Sequence, residues 1–202
     1  MFAPTEAQLK QLLSSIPLNS TWGKRNYLMI CFLCHTGMRI GEMTKLEVHH
    51  VTHQGEPRDE VYLTHKLVTK TRHGRVVPLN SVARECITKL LEFNRMRGFS
   101  TEERAPLFPW KNHGFLPVRE AEREIQRLRE RAGLSAKITP HTFRHFFATR
   151  ISERGVSQPV LKSLLGHRSS RSTEIYAHSS AQREREAVDM LPQSRSVRGV
   201  GA

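Results

Sequence analysis

The stretch EVYLTHKLVTKTRHGRVVPL, Glu60 to Leu79, decides what kind of fold this chain makes. It is dense in β-branched residues, and a turn signal falls at His73-Gly74. Branched side chains pack well on a pleated surface and lose freedom in a helix. The segment just before it, EVHHV at Glu47 to Val51, has the same character and leads into a turn signal at Gly55-Glu56-Pro57. The spacing predicts two or three antiparallel strands, the last two joined by a hairpin near residues 71–74.

On both sides the periodicity is helical. Thr5 followed by Gln8 is a capping-box signature, and Leu9, Leu12, Leu13 and Ile16 recur at helical spacing after it. A second helix is predicted over Lys24–Thr36, ended by Gly37, and a short third over Ile40–Leu46. Beyond the strands, helices are predicted at Ser81–Met96, Pro117–Ala132, His141–Arg154, Gln158–Leu165 and Ser180–Leu191. Pro140 suits the start of its helix, because its missing N–H is not needed there. The expected class is mainly α with a small antiparallel sheet (α+β). One domain is expected over residues 1–190, followed by a flexible polar tail over 191–202.

The chain has 202 residues and a formal net charge of +13. Positions 1–100 hold 14 basic and 8 acidic residues, and the rest hold 18 and 11, so the excess is spread over the body. A basic body points to a polyanionic partner, most often nucleic acid. No apolar run is long enough to span a bilayer, so no membrane partner is expected. The first residues, MFAPTEAQLKQLL, lack the features of a signal peptide, so a cytoplasmic location is expected. CFLCH at Cys31–His35 matches a haem-attachment pattern, but it lies in the apolar run YLMICFLCHTGM. Core cysteines are the better reading.

Four short pieces carry chemistry. TGMRIGE places Arg39 after a glycine turn, with Glu42 one helical turn later. TKTRHGRVVPL places Lys70 at the hairpin, flanked by Arg72 and Arg75. HTFRHFFAT sets His141 and Arg144 three apart, on one helix face. LLGHRSSRSTEIYAH holds His167 and Tyr176. None is specific alone. Together, two arginines, two histidines and a lysine can converge on a phosphate, because a guanidinium gives bidentate, charge-assisted hydrogen bonds to its oxygens. Such donors also stabilise the added charge of a phosphoryl-transfer transition state. A tyrosine is then a possible nucleophile, with a reference pKa near ~10 that nearby cations lower.

The order and spacing of these pieces resemble the catalytic domain of the tyrosine recombinases, the phage-integrase family. The matching segments are TGMRIGEMTKL, VTKTRHGRVVPL, ITPHTFRHFFATRISERG and VLKSLLGHRSSRSTEIYAH, spread over residues 36–178. The resemblance implies that family's catalytic-domain fold and a site of Arg39, Lys70, His141, Arg144, His167 and Tyr176. Arg39 and Arg144 would grip the phosphate. Lys70 would be the general acid for the leaving 5′-hydroxyl, His141 would assist proton transfer, and His167 would hydrogen-bond the phosphate. Tyr176 would form a 3′-phosphotyrosyl link. Neither metal nor cofactor is implied.

Double-stranded DNA is the implied partner, with a homo-tetramer expected on DNA and a monomer when free. Most members carry a DNA-clamping domain ahead of the catalytic one. The 38 residues before Arg39 leave no room for it here, so none is expected. His145 is expected to be structural, His178 to lie at the surface, and Glu42 to form an ion pair that orients the site. Arg72 and Arg75 are candidates for backbone-phosphate contacts, with a solvated face as the equal alternative. After Tyr176, Ala181, Ala187, Val188 and Leu191 form one apolar side, which suits docking on a neighbour or on the chain itself. The competing functions are a relaxing topoisomerase with the same chemistry, a non-catalytic DNA-binding protein, and a metal nuclease built from His141, His145, His167 and His178.

Overall fold

The computed structural model of the chain describes residues 2–64, 67, 74–166 and 177–191, the stretch 177–181 by its helix backbone alone. Helix α1 spans Glu6–Ser14, and its capping box closes as expected: Thr5 Oγ1 accepts from Gln8 N at 3.2 Å and Gln8 Oε1 accepts from Thr5 N at 2.9 Å. Helix α2, Gly23–Thr36, is apolar on nearly every side and is therefore buried on nearly every side. Cys31 and Cys34 are free thiols in that core, beside the equally buried Cys86. Gly37 ends α2 with φ +59, and a Cβ there would lie 2.5 Å from the Phe147 ring. Only glycine satisfies both conditions.

Helix α3 is shorter than predicted, Ile40–Met43. The chain leaves it because Leu46 O is taken by Leu107 N at 2.8 Å and Glu47 bridges Pro106, which draws residues 46–47 into an extended path. EVHHV, predicted as strand, is instead helix α4, Val48–Val51. The N–H groups of Val48 and His49 are claimed by Ala105 O and Glu103 O, and His50 Nδ1 accepts from Glu47 N at 2.9 Å, so caps outweigh the β propensity of two valines. Strands β1, Thr52–His53, and β2, Glu56–Pro57, form a tiny hairpin through Gln54 and Gly55, both at positive φ.

Strands β3, Glu60–Leu63, and β4, Arg75–Pro78, pair antiparallel from Glu60↔Pro78 to Leu63↔Arg75. Val61, Leu63 and Val77 face the core while Tyr62 points to solvent. Among the described residues the strands make two separate two-stranded sheets, where one small sheet was expected. The hairpin turn predicted at 71–74 falls mostly outside the described residues.

Helix α5, Ser81–Met96, packs on α2. Helix α6 covers Val118–Arg131, with a 3-10 turn at Lys111–His113 before it. Helix α7, Pro140–Glu153, opens with the expected proline, and α8 is Gln158–Leu164. Helix α9, Ala177–Asp189, starts three residues before its predicted bound. Two apolar clusters result. One surrounds α2 and α5. The other joins α7 and α8 to Ala187, Val188 and Leu191 of the α9 region, so this segment lies on its own chain here. Arg185 to Glu60 at 2.7 Å and Asn80 Nδ2 to Val188 O at 3.1 Å fasten it further. Among the described residues, no helix is long and apolar enough to cross a membrane.

Candidate active site

The site lies where the two clusters meet. Arg39 is the N-cap of α3, and α3 starts there because Glu42 accepts from the Arg39 backbone N–H at 2.9 Å. Glu42 also accepts from Arg39 Nη1 at 2.9 Å. Arg75, the first residue of β4, donates Nη1 to Oε1 at 2.9 Å and Nη2 to Oε2 at 2.8 Å of the same carboxylate. The Glu42 side chain is fully buried. Burial pushes its pKa up, but hydrogen bonds and charge from Arg75 and Arg39 outweigh that and hold it at about 2. The carboxylate is therefore ionised at any physiological pH.

Arg144, on α7, is buried at 3 % exposure. It is gripped by two backbone carbonyls: Nη1 donates to Gly37 O at 2.7 Å, and Nη2 donates to Leu165 O at the end of α8. Its pKa is lowered to about 9, first by burial and then by the positive charges of Arg39 and Arg75, with Glu42 opposing. Three guanidiniums thus gather around one carboxylate and leave an excess of positive charge. An arriving anion relieves that excess. Phosphate and carboxylate both suit the geometry of guanidinium donors.

His141 and His145 stand on the same helix as Arg144. Their rings meet edge to face, with centroids 4.5 Å apart. His141 is exposed and His145 half-buried. Of the six residues assigned from the sequence, the structure brings Arg39 and Arg144 together and puts His141 on the helix that carries Arg144. Lys70, His167 and Tyr176 lie outside the described residues, as does Arg72. Their chain neighbours are described. Gly166, directly before His167, sits over Arg75: a Cβ there would lie 2.7 Å from Arg75 Cδ, and its φ is +63. Ala177, directly after Tyr176, opens α9.

Arg75 departs from expectation. It is neither a solvated flank nor open to DNA, but 92 % buried and spent on Glu42, as its side-chain exposure of 8 % shows. The sequence signal for this was slight: an arginine at the head of an apolar VVPL strand. The carbonyls that hold Arg144 carry no sequence signal at all.

Among the described residues, one group has metal-ligand spacing, Glu47 with His49 and His50, and it includes neither His141 nor His145. It is better read as a helix cap. His50 Nδ1 accepts from Glu47 N, so its Nε2 carries the proton and has no lone pair for a metal.

Fold and site together define an α+β domain with a cluster of three arginines around the buried carboxylate of Glu42. The chain belongs to the phage integrase family, whose model matches residues 4–183. It is 32% identical over 174 residues to the tyrosine recombinase XerC of Anoxybacillus flavithermus, covering 85% of this chain and 55% of that one. It therefore spans about half the length of the curated relatives it matches. The fold is that of tyrosine recombinase catalytic domains. The crystal structure of XerA recombinase superposes with a TM-score of 0.65 at 22% identity, covering 98% of this chain and 62% of the other. A lambda integrase tetramer bound to a Holliday junction superposes with a TM-score of 0.64 at 19% identity, covering 86% and 49%.

Proposed function

We propose that this chain is the catalytic domain of a site-specific DNA recombinase that cuts and rejoins strands through a 3′-phosphotyrosyl intermediate. The cation cluster carries the reading: Arg39, Arg75 and Arg144 around the single carboxylate of Glu42 form an incomplete charge set that a phosphodiester would complete. Family membership supports it. Domain bounds of 1–190 go with it, as does a tail at 191–202, whose first residue, Leu191, packs on the domain while 192–202 lie outside the described residues.

In this reading, Arg39 and Arg144 hold the scissile phosphate. Tyr176 Oη attacks the phosphorus, one P–O bond forms, and the P–O5′ bond breaks. Lys70 gives its proton to the leaving 5′-oxygen. His141 assists proton transfer by taking the phenol proton of Tyr176, and His167 donates to a phosphate oxygen. The number of phosphoester bonds is unchanged, so the strand is rejoined by reversing the step with another 5′-hydroxyl and no energy source. The guanidiniums neutralise the transition-state charge, so the reaction proceeds without a metal. Duplex DNA is the substrate, and four copies act together on it; a lambda integrase tetramer bound to a Holliday junction supports this. The cytoplasmic location expected from the sequence is compatible with that substrate.

The test is covalent trapping on nicked duplexes in a chelator. The unchanged protein should yield a denaturation-resistant protein–DNA band, and Tyr176→Phe should yield none. Cleavage that requires a divalent ion and leaves no adduct would overturn the reading.

A further inference from the structure

Arg75 stands outside the set assigned from the sequence, yet both of its terminal nitrogens are committed to Glu42, and its buried Nε has no partner among the described residues. We propose that Arg75 is a positioning residue for strand cleavage: it occupies Glu42, so that this carboxylate does not cancel the charge of Arg39. The proposal rests on the reading of the cluster as a phosphate cradle.

An ionised carboxylate offers about four lone-pair directions. Glu42 uses all of them. Oε1 receives Arg39 Nη1 and Arg75 Nη1, and Oε2 receives the Arg39 backbone N–H and Arg75 Nη2. The bidentate fork of Arg75 is the stronger claim on the charge. Among the described residues, Arg39 makes one side-chain hydrogen bond and is 21% exposed, while Arg75 is 8% exposed and bonds only Glu42. The two arginines thus divide the work. Arg75 balances the buried anion, and Arg39 keeps cationic donors for a phosphate.

Without Arg75, Glu42 would turn its whole charge on Arg39. The pair would close into a neutral couple, and the cradle would lose half of its net positive charge. Arg75 is also where three elements meet. It begins β4 opposite Leu63, it holds the residue that caps α3, and its aliphatic stem lies under Gly166. Leu165, next to that glycine, holds Arg144. One side chain therefore sets Arg39 directly and touches the residue beside the anchor of Arg144.

A merely structural arginine would lower stability and depress every activity together. A positioning arginine lowers cleavage on bound DNA, and removing the charge of Glu42 relieves the loss. The experiment compares Arg75→Met, Arg75→Lys, Glu42→Gln and the double variant Arg75→Met/Glu42→Gln, each normalised to its folded fraction. The substrate is a set of nicked duplexes captured from a randomised library by the unchanged protein. Single-turnover adduct formation at saturating DNA should fall roughly a hundredfold in Arg75→Met, with DNA affinity changed less than about threefold. The double variant should regain about tenfold or more, and Arg75→Lys should fall between.

A parallel arm follows orthovanadate binding by vanadium NMR, which needs no cleavage. Binding should be lost in Arg75→Met and return in the double variant. Cleavage and vanadate binding unchanged in Arg75→Met would overturn the proposal, and so would a double variant no better than the single one. If Arg75→Met does not fold, Arg75→Lys and the double variant decide by the same two readouts. Failure of the unchanged protein to form any adduct would contradict the recombinase reading, while the vanadate arm still decides the role of Arg75.

Discussion

Arg75 donates both terminal nitrogens to Glu42, at 2.9 and 2.8 Å, across a sequence separation of 33 residues. The pair ties the sheet to the helix that presents Arg39. Both partners are buried, so removing one leaves an uncompensated charge in a poorly solvated place. Glu42→Ala should therefore destabilise the fold by about 3–5 kcal/mol, measured by chemical denaturation. A loss below about 1 kcal/mol would mean the pair is solvated, contrary to the geometry described here.

Among the described residues, Arg144 is anchored through its fork by two carbonyl oxygens, those of Gly37 and Leu165. Lysine keeps the charge and loses the fork. Arg144→Lys should lower single-turnover cleavage about 100- to 1,000-fold, with DNA affinity nearly unchanged. Equal losses in affinity and cleavage would assign Arg144 to general DNA binding instead.

Gly166 and Gly133 have nearly the same backbone, φ +63 and +64, but different surroundings. A Cβ at 133 meets open space, whereas one at 166 meets the stem of Arg75. Gly133→Ala should cost only the backbone strain, about 1 kcal/mol. Gly166→Ala should cost about 1–3 kcal/mol more and reduce cleavage as well. Equal effects in the two variants would remove Gly166 from the site.

Among the described residues, His35, His50 and Glu42 shape the acid stability. His35 is buried, with Asn80 Nδ2 3.1 Å from its Nδ1, and burial lowers its pKa from 6.5 to about 4. The unfolded chain binds that proton first, so stability should fall as pH drops from about 6.5 to 4, by roughly 3 kcal/mol in all. His50, also lowered by burial, acts with the same sign. Glu42, held at about 2 against 4.5, adds a second loss as pH falls from about 4.5 to 2. Melting temperature against pH should show both steps, with the upper one reduced in His35→Gln. A flat profile between pH 6.5 and 4.5 would contradict the burial of His35.

The α9 region is held by apolar packing more than by charge. Leu191 is 3% exposed, whereas the Arg185–Glu60 pair has side chains 48% and 20% exposed. Leu191→Ala should cost about 2–4 kcal/mol in the free protein. Arg185→Ala should cost under about 1 kcal/mol. Urea titration at low protein concentration distinguishes them, and a Leu191→Ala variant as stable as the parent would mean that the segment is not docked on its own chain in solution.

Much of the fold was legible because local signals agreed with tertiary ones. Thr5 and Gln8 announce α1, Gly37 ends α2, and Pro140 opens α7, each through a backbone need that one residue type meets. EVHHV misled because its propensity is local, while its helix is set by partners about fifty residues away, the Glu103 and Ala105 carbonyls. In the site, Arg39 and Arg144 were legible from motif spacing, and Glu42 from its position one turn after Arg39. Arg75 was not, because its role depends on the pairing of β4 with β3 and on the end of α8 above it. No spacing in one segment encodes such a contact.

The central claim is that Tyr176 joins covalently to a DNA 3′-phosphate within this arginine cradle. Its most direct test is to digest the trapped adduct and locate the nucleotide-bearing peptide by mass spectrometry. The account predicts a nucleotide on the peptide holding Tyr176, formed in chelator and lost in Arg39→Ala and Arg144→Ala. A nucleotide on another residue, or strand cleavage with no modified peptide, would contradict it.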